Sequence, residues 1–224
     1  MNIIDFHTHP FIKERSNVCF YDGIVTAENF RTYIEKAGIS KICGSVIYKT
    51  EDFEEIKSLN REALKLKDMW GDFYIPGIHI HPEYVEESVE EIEYTAKRGV
   101  KLIGELVPYY NGWHYLYDDN LREIYKAADK AEMVISIHTD GETDMDGLEK
   151  AVKEFKNLKF AAAHPHQKAH YYRHTEMLKK YDNYYLDLSG TGLFRFGMLK
   201  TLVNNAGSEK LLFGTEFPIT NPKM

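Results

Sequence analysis

The chain is short of cysteine, of long apolar runs and of positive charge, and each shortage removes a class of protein. Of 224 residues only Cys19 and Cys43 are cysteines. They lie far apart and match no Cys-x-x-Cys spacing, which excludes a disulfide framework, so both read as free thiols, Cys43 in a buried strand. No run approaches the roughly 18 to 20 apolar residues that a membrane span requires. The opening MNIIDFHTHP has neither the basic stretch nor the apolar stretch of a secretory signal. The chain therefore reads as cytoplasmic, with no membrane partner. With 28 lysines and arginines against 35 aspartates and glutamates, the formal net charge is −7. No overall field draws such a chain to phosphate backbones, and nucleic acid is not the expected partner. Linkers, low-complexity tracts and repeats are also missing.

What remains is a globular composition, 43% hydrophobic and 13% aromatic, on a length that fits one domain over residues 1–224. Eight β-type runs alternate with amphipathic segments along almost the whole chain. The strands read as Ile3–Phe6, Lys41–Ile47, Phe73–Ile80, Lys101–Leu106, Met133–His138, Leu158–His164, Tyr184–Leu188 and Lys210–Gly214. The helices read as Ala27–Ala37, Phe53–Lys67, Tyr84–Lys97, Asn120–Ala131, Met145–Phe155, Thr175–Tyr181 and Met198–Asn205. Strict alternation with eight strands in so short a chain favours an α/β fold of the closed (β/α)8 type over an open sheet. The sequence runs only ten residues past Gly214, too few for an eighth helix. Ile4, Phe6, Leu211 and Phe213 should then form an uncovered apolar strip, which predicts a homo-oligomer.

Several ionisable residues fall at the ends of these strands, where a barrel places catalytic groups. In Asp5-Phe6-His7-Thr8-His9-Pro10 the two histidines are two apart and share a face, so both can turn into the barrel mouth and offer nitrogen to one metal. His138 ends strand 5 and His164 ends strand 6, with His166 in the loop beyond. In strand 5 the alternation sends Met133, Ile135 and Ile137 outward and leaves Val134, Ser136 and His138 inward. Glu105 and Glu216 have inward parity at the ends of strands 4 and 8. A carboxylate in a barrel mouth is costly unless paired or bound to a cation, which assigns both to a metal site. The other reading of Glu105 is an ion pair with Lys101.

These segments resemble the metal-dependent hydrolases of the amidohydrolase superfamily, most closely the amidohydrolase-2 branch, which also contains decarboxylases. The resemblance rests on DFHTHP, ISIHTD, AAAHPH, LDLSGTG and LLFGTEFP, spread over nearly the whole chain. It implies a barrel in which His7, His9 and His138 ligate metal, His164 is a second ligand or orients water, and Glu216 is the strand-8 acid. The branch has aspartate where this chain has Glu216, one methylene longer. The residues around Glu105 are also similar to those of TatD-type metal-dependent nucleases. With Glu105 bridging, two ions can be held by His7, His9, Glu105, His138, His164 and Glu216, while one ion on His7, His9, His138 and Glu216 fits equally.

Mixed nitrogen and oxygen donors suit zinc first, then manganese, iron or nickel. The expected activity is hydrolysis of a small, carboxylated organic substrate by a metal-activated water, with Glu216 and His164 catalytic. The alternatives are a decarboxylase of the same branch, a TatD-like nuclease and a barrel without turnover. For the nuclease, the rim supplies mainly Lys13, Arg15, Lys168 and Arg173 as phosphate contacts. Arg195 and His166 are the candidate substrate-binding residues, Arg195 as a clamp for carboxylate or phosphate. His79 and His81 read as pocket or structural residues. Tyr109, Tyr110, Trp113, His114, Tyr115 and Tyr117 crowd the loop after strand 4, and Tyr171, Tyr172 and His174 the loop after strand 6. Such an aromatic rim suits a planar or cyclic molecule, or a subunit contact.

Overall fold

The computed structural model describes residues 2–14, 26–166, 168–190 and 195–223; Arg15 and Cys19 lie outside them. Eight parallel strands follow one another around a single sheet in chain order. They are β1 Ile4–Thr8, β2 Lys41–Ser45, β3 Tyr74–Ile78, β4 Leu102–Leu106, β5 Val134–His138, β6 Lys159–Ala163, β7 Tyr184–Asp187 and β8 Leu211–Leu212. Seven helices alternate with them: α1 Ala27–Lys36, α2 Phe53–Trp70, α3 Val85–Ala96, α4 Asp119–Lys130, α5 Glu142–Glu154, α6 Lys168–Lys180 and α7 Met198–Ala206. The seam closes where Phe6 N–H donates to the Phe213 carbonyl and Glu216 N–H to the His7 carbonyl, each at 2.8 Å. The expected barrel is thereby formed.

Local chemistry sets the helix starts. The side chains of Thr26, Asp52 and Asp118 accept from the amides of Asn29, Glu54 and Leu121, capping α1, α2 and α4. The outward residues of the strands, among them Ile78, Ile103, Ile135, Ile137, Phe160 and Leu186, pack beneath the helices in one large apolar cluster. Their inward neighbours are left to line the barrel.

α6 departs from the expected Thr175–Tyr181. It starts at Lys168, so Tyr171, Tyr172 and His174 belong to a helix and not to a loop. The segment is rich in aromatic and imidazole side chains and lacks a clean apolar stripe, so its helical period is faint in sequence. His174 is fully buried there, its Nδ1 at 2.5 Å from the Tyr184 hydroxyl. Among the described residues no helix follows β8. Ile4 is 51% and Phe213 38% exposed on that outer face, with Phe6 and Leu211 half-buried. No helix among the described residues is long and apolar enough to cross a membrane.

Candidate metal centre

The strand ends bring six of the expected residues to one place. His7 and His9 leave β1 pointing into the mouth, and their Nε2 atoms stand 3.1 Å apart. Glu105, inward on β4, lies between two pairs of histidines. Its Oε2 is 3.1 Å from His7 Nε2 and 3.5 Å from His9 Nε2. Its Oε1 is 3.1 Å from His138 Nδ1 and 3.2 Å from His164 Nε2. Glu216 approaches from the β8 side, its Oε1 3.4 Å from His164 Nε2. His7, His9, Glu105 and His164 are buried, none more than 4% exposed. The alternative partner of Glu105 is ruled out, because Lys101 points outward to the Ala131 carbonyl and Glu132.

The hydrogen-bond pattern fixes what these nitrogens present. His7 Nδ1 is 2.5 Å from Asp187 Oδ2 and 3.0 Å from Ser189 Oγ. A carboxylate accepts only, so His7 Nδ1 carries the proton and its Nε2 offers a lone pair to the mouth. His9 Nδ1 points to the Ser45 carbonyl at 3.4 Å, which leaves its Nε2 in the same condition. Two lone pairs and a carboxylate oxygen thus converge within 3.5 Å, an arrangement that repels unless a cation or a proton sits among them. Ligands at about 2.1 Å from one tetrahedral ion lie roughly 3.4 Å from each other, which matches this spacing. His7, Glu105 and His164 also form a group whose donor atoms all lie within 4.8 Å. The donor set therefore fits a divalent metal.

Electrostatics points the same way. Burial works against a charged His7, yet the Glu105 and Asp187 carboxylates hold its pKa well above the ordinary imidazole value. Burial likewise opposes ionised Glu105, and His7, His138 and His164 nevertheless hold it well below the usual carboxylate range. The mouth draws positive charge to itself. His166 differs: burial, and then the imidazoles of His138, His164 and His170, push it down to about 3. Its ring lies 5.2 Å from that of His138 and 5.6 Å from that of His164.

Two glycines make the crowding possible. A Cβ on Gly214 would stand 2.3 Å from Asp187 Oδ1 and 2.8 Å from His7 Cβ. A Cβ on Gly190 would stand 2.4 Å from Glu216 Oε2 and 2.6 Å from His164 Nδ1. Left-handed backbone at non-glycine residues also gathers here, at His164 (φ 67°), His166 (φ 52°) and Glu216 (φ 59°). Such conformations persist only where the surroundings enforce them, and they concentrate at functional sites.

The sequence reading overlooked Asp187 and Ser189. Asp187 is a fully buried carboxylate of inward parity at the end of β7, the same signal that singles out Glu216, whereas Glu105 reaches the mouth through the register shift between Ile103 and Leu106. Ser189 Oγ stands 3.0 Å from His7 Nδ1, from His164 Nδ1 and from Asp187 Oδ2, tying β1, β6 and β7 together. His81 is structural, with Nε2 donating to the Asn111 carbonyl and Nδ1 accepting from Glu83 N–H. His79 is held by the Val46 carbonyl through Nε2. Arg195 lies outside the donor cluster, lining a cleft that His166 also borders. Of the aromatic rim, Tyr109 leans on His138 with ring centres 5.4 Å apart, whereas Trp113 is buried.

A family model described as Amidohydrolase matches residues 4–224. No curated protein sequence matches the chain significantly. Among solved structures, a probable 2-pyrone-4,6-dicarboxylic acid hydrolase from Acinetobacter baumannii, with citric acid bound, superposes with a TM-score of 0.71 at 14% identity, covering 100% of this chain and 86% of that one. A 2,6-dihydroxybenzoate decarboxylase from Rhizobium gives 0.70 at 12% identity, covering 99% and 90%. A 5-carboxyvanillate decarboxylase from Novosphingobium aromaticivorans, with manganese bound, gives 0.72 at 14% identity, covering 98% and 88%. At these identities the likeness to solved structures is one of fold.

Proposed function

The chain belongs to the amidohydrolase family, and from that premise we propose that it is a metal-dependent hydrolase of a small, carboxylated organic molecule. The observation that carries the reading is the convergence of His7 Nε2, His9 Nε2 and Glu105 Oε2 within 3.5 Å. His7, His9 and Glu105 would hold one divalent ion, zinc or manganese, with iron and nickel also suited to the donors. Glu105 Oε1, His138 and His164 are disposed to hold a second. When bound, such an ion supplies Lewis acidity, polarising an oxygen of the substrate and lowering the pKa of a water.

The chain's own groups do the rest. Asp187 keeps the proton of His7 on Nδ1 and aims Nε2 inward. Ser189 does the same for the β6 side by holding His164 Nδ1. Glu216, beside His164 and with its side chain 16% exposed, is the group that accepts the proton of the attacking water and returns it to the leaving atom. His166 and Arg195 border the mouth on the β6–β7 side, where they would bind substrate.

Decarboxylation is the second reading, supported by two of the structural neighbours being decarboxylases. There the same Glu216–His164 pair would deliver a proton to the carbon that loses carboxylate. Assay of small carboxylated lactones, amides and aromatic acids, with and without chelator, tests both. Ring opening or amide cleavage that chelator abolishes supports the hydrolase. Loss of carbon dioxide supports the decarboxylase, and turnover that survives complete removal of metal refutes both.

A further inference from the structure

Asp5 is a fully buried carboxylate on β1 that the donor set of the metal centre does not use. It shares the inward parity of His7, two residues on, and lies below the mouth. Three donors satisfy it. Oδ1 accepts from the amides of His7 and Thr215 at 3.1 and 2.9 Å, and Oδ2 accepts from the Thr215 hydroxyl at 2.5 Å. The Thr215 hydroxyl in turn accepts from Phe217 N–H at 3.1 Å, and the Thr215 carbonyl accepts from the Thr220 hydroxyl. On either side of this pair the seam is made by backbone alone: Phe6 N–H donates to the Phe213 carbonyl, Glu216 N–H to the His7 carbonyl and His9 N–H to the Phe217 carbonyl, each at 2.8 Å. At Thr215 a side chain of β1 thus takes the place of a backbone acceptor, beyond the point where β8 has ended at Leu212.

The consequence falls on Glu216. Its backbone is left-handed, with φ 59°, a conformation that a residue with a side chain keeps only where its surroundings impose it. On one side Thr215 is pinned to Asp5. On the other, Phe217 is buried, its ring centre 4.7 Å from that of Phe30 and 5.4 Å from that of Tyr33. Held between them, Glu216 places Oε1 3.4 Å from His164 Nε2. We propose that Asp5 and Thr215 are positioning residues for the strand-8 acid: the buried carboxylate fixes Thr215, and through it the left-handed turn that aims Glu216 at His164. The inference rests on the functional reading above only for the importance of Glu216; the clasp itself concerns where that residue is held.

The test is amide hydrogen exchange of the full chain, read residue by residue by NMR at pH 7.5, where Asp5, whose pKa burial raises to about 6, is ionised. Thr215→Val keeps the shape of the side chain and removes the hydroxyl. The amides of Glu216 and Phe217 should then exchange at least about tenfold faster, the size of one hydrogen bond to a charged group, while those of Ile103 and Ile135 across the barrel keep the parent's rates. Thr215→Ser, which restores the hydroxyl, should return the parent's pattern. Should Thr215→Val not fold, Asp5→Asn, which retains one acceptor oxygen for the two amides, must give the same local acceleration. On a substrate turned over by the parent, Thr215→Val should lower kcat with KM and zinc content unchanged, and Glu216→Gln added to it should cost nothing further. Parental protection of Glu216 and Phe217 in Thr215→Val, equal acceleration at Ile103 and Ile135, or additive losses of kcat would each overturn the proposal. Full turnover in Glu216→Gln alone would instead defeat the functional reading, and the exchange rates would still decide the clasp.

Discussion

Glu105 is the residue around which the others arrange themselves, because its two oxygens face different histidine pairs at 3.1 to 3.5 Å. For His7, His9 and His138 the position was legible in the sequence because a strand alternates faces and sends a polar residue of inward parity at a strand end to the mouth. Glu105 shares the parity of outward Ile103 and faces inward only through the register shift between Ile103 and Leu106, and His164 shares that of outward Phe160 and turns inward on left-handed backbone. Asp187 obeys the alternation rule and sits behind His7. Glu216 stands where the resemblance implies an aspartate, and its reach is testable. Glu216→Gln should keep most of the metal that His7, His9 and Glu105 would hold, while turnover falls by roughly 10²- to 10⁴-fold, as expected for loss of a general base. Glu216→Asp should match or exceed the parent. Steady-state kinetics on any substrate found for the parent decides it, and full activity in Glu216→Gln would remove the strand-8 acid from the mechanism.

At the scale of elements, β7 and β8 matter less for their few residues than for how closely they approach β1. Gly214 makes that approach possible, since a methyl group there would press on both Asp187 and His7. Gly214→Ala should therefore destabilise the fold by about 1–3 kcal/mol through overpacking. It should also weaken metal binding roughly 10- to 100-fold, because Asp187 orients a ligand. Urea unfolding together with metal titration checks both effects, and an unaltered metal affinity would show that Asp187 is dispensable. The elements themselves were readable where an apolar period was strong, as in β5 and α4. The first half of α6 gives no regular stripe, because Tyr171 and His174 are buried while Tyr172 between them is exposed. The steric demands on Gly190 and Gly214 were invisible in sequence, because they depend on side chains brought together from β1, β6, β7 and β8.

For the whole molecule, alternation of eight strands with helices dictated a closed barrel, and the structure has that architecture. The outer face of β8 and β1 leaves Ile4 and Phe213 exposed, and on α7 Leu199 and Val203 are themselves 43% and 40% exposed. Apolar surface of that kind promotes association. Light scattering of the chain should give a mass at least twice 26.1 kDa; a clean monomer well above micromolar concentration would contradict this. The barrel brings the donors of its mouth together, and their arrangement fits a cation. Elemental analysis of the chain purified without added ions, and of His7→Ala and His138→Ala beside it, reads that cation directly. One or two divalent ions per parent chain, sharply reduced in both variants while circular dichroism stays unchanged, is the expected result. A parent that takes up no zinc or manganese even when they are supplied, or full occupancy in His7→Ala, would contradict the metal centre.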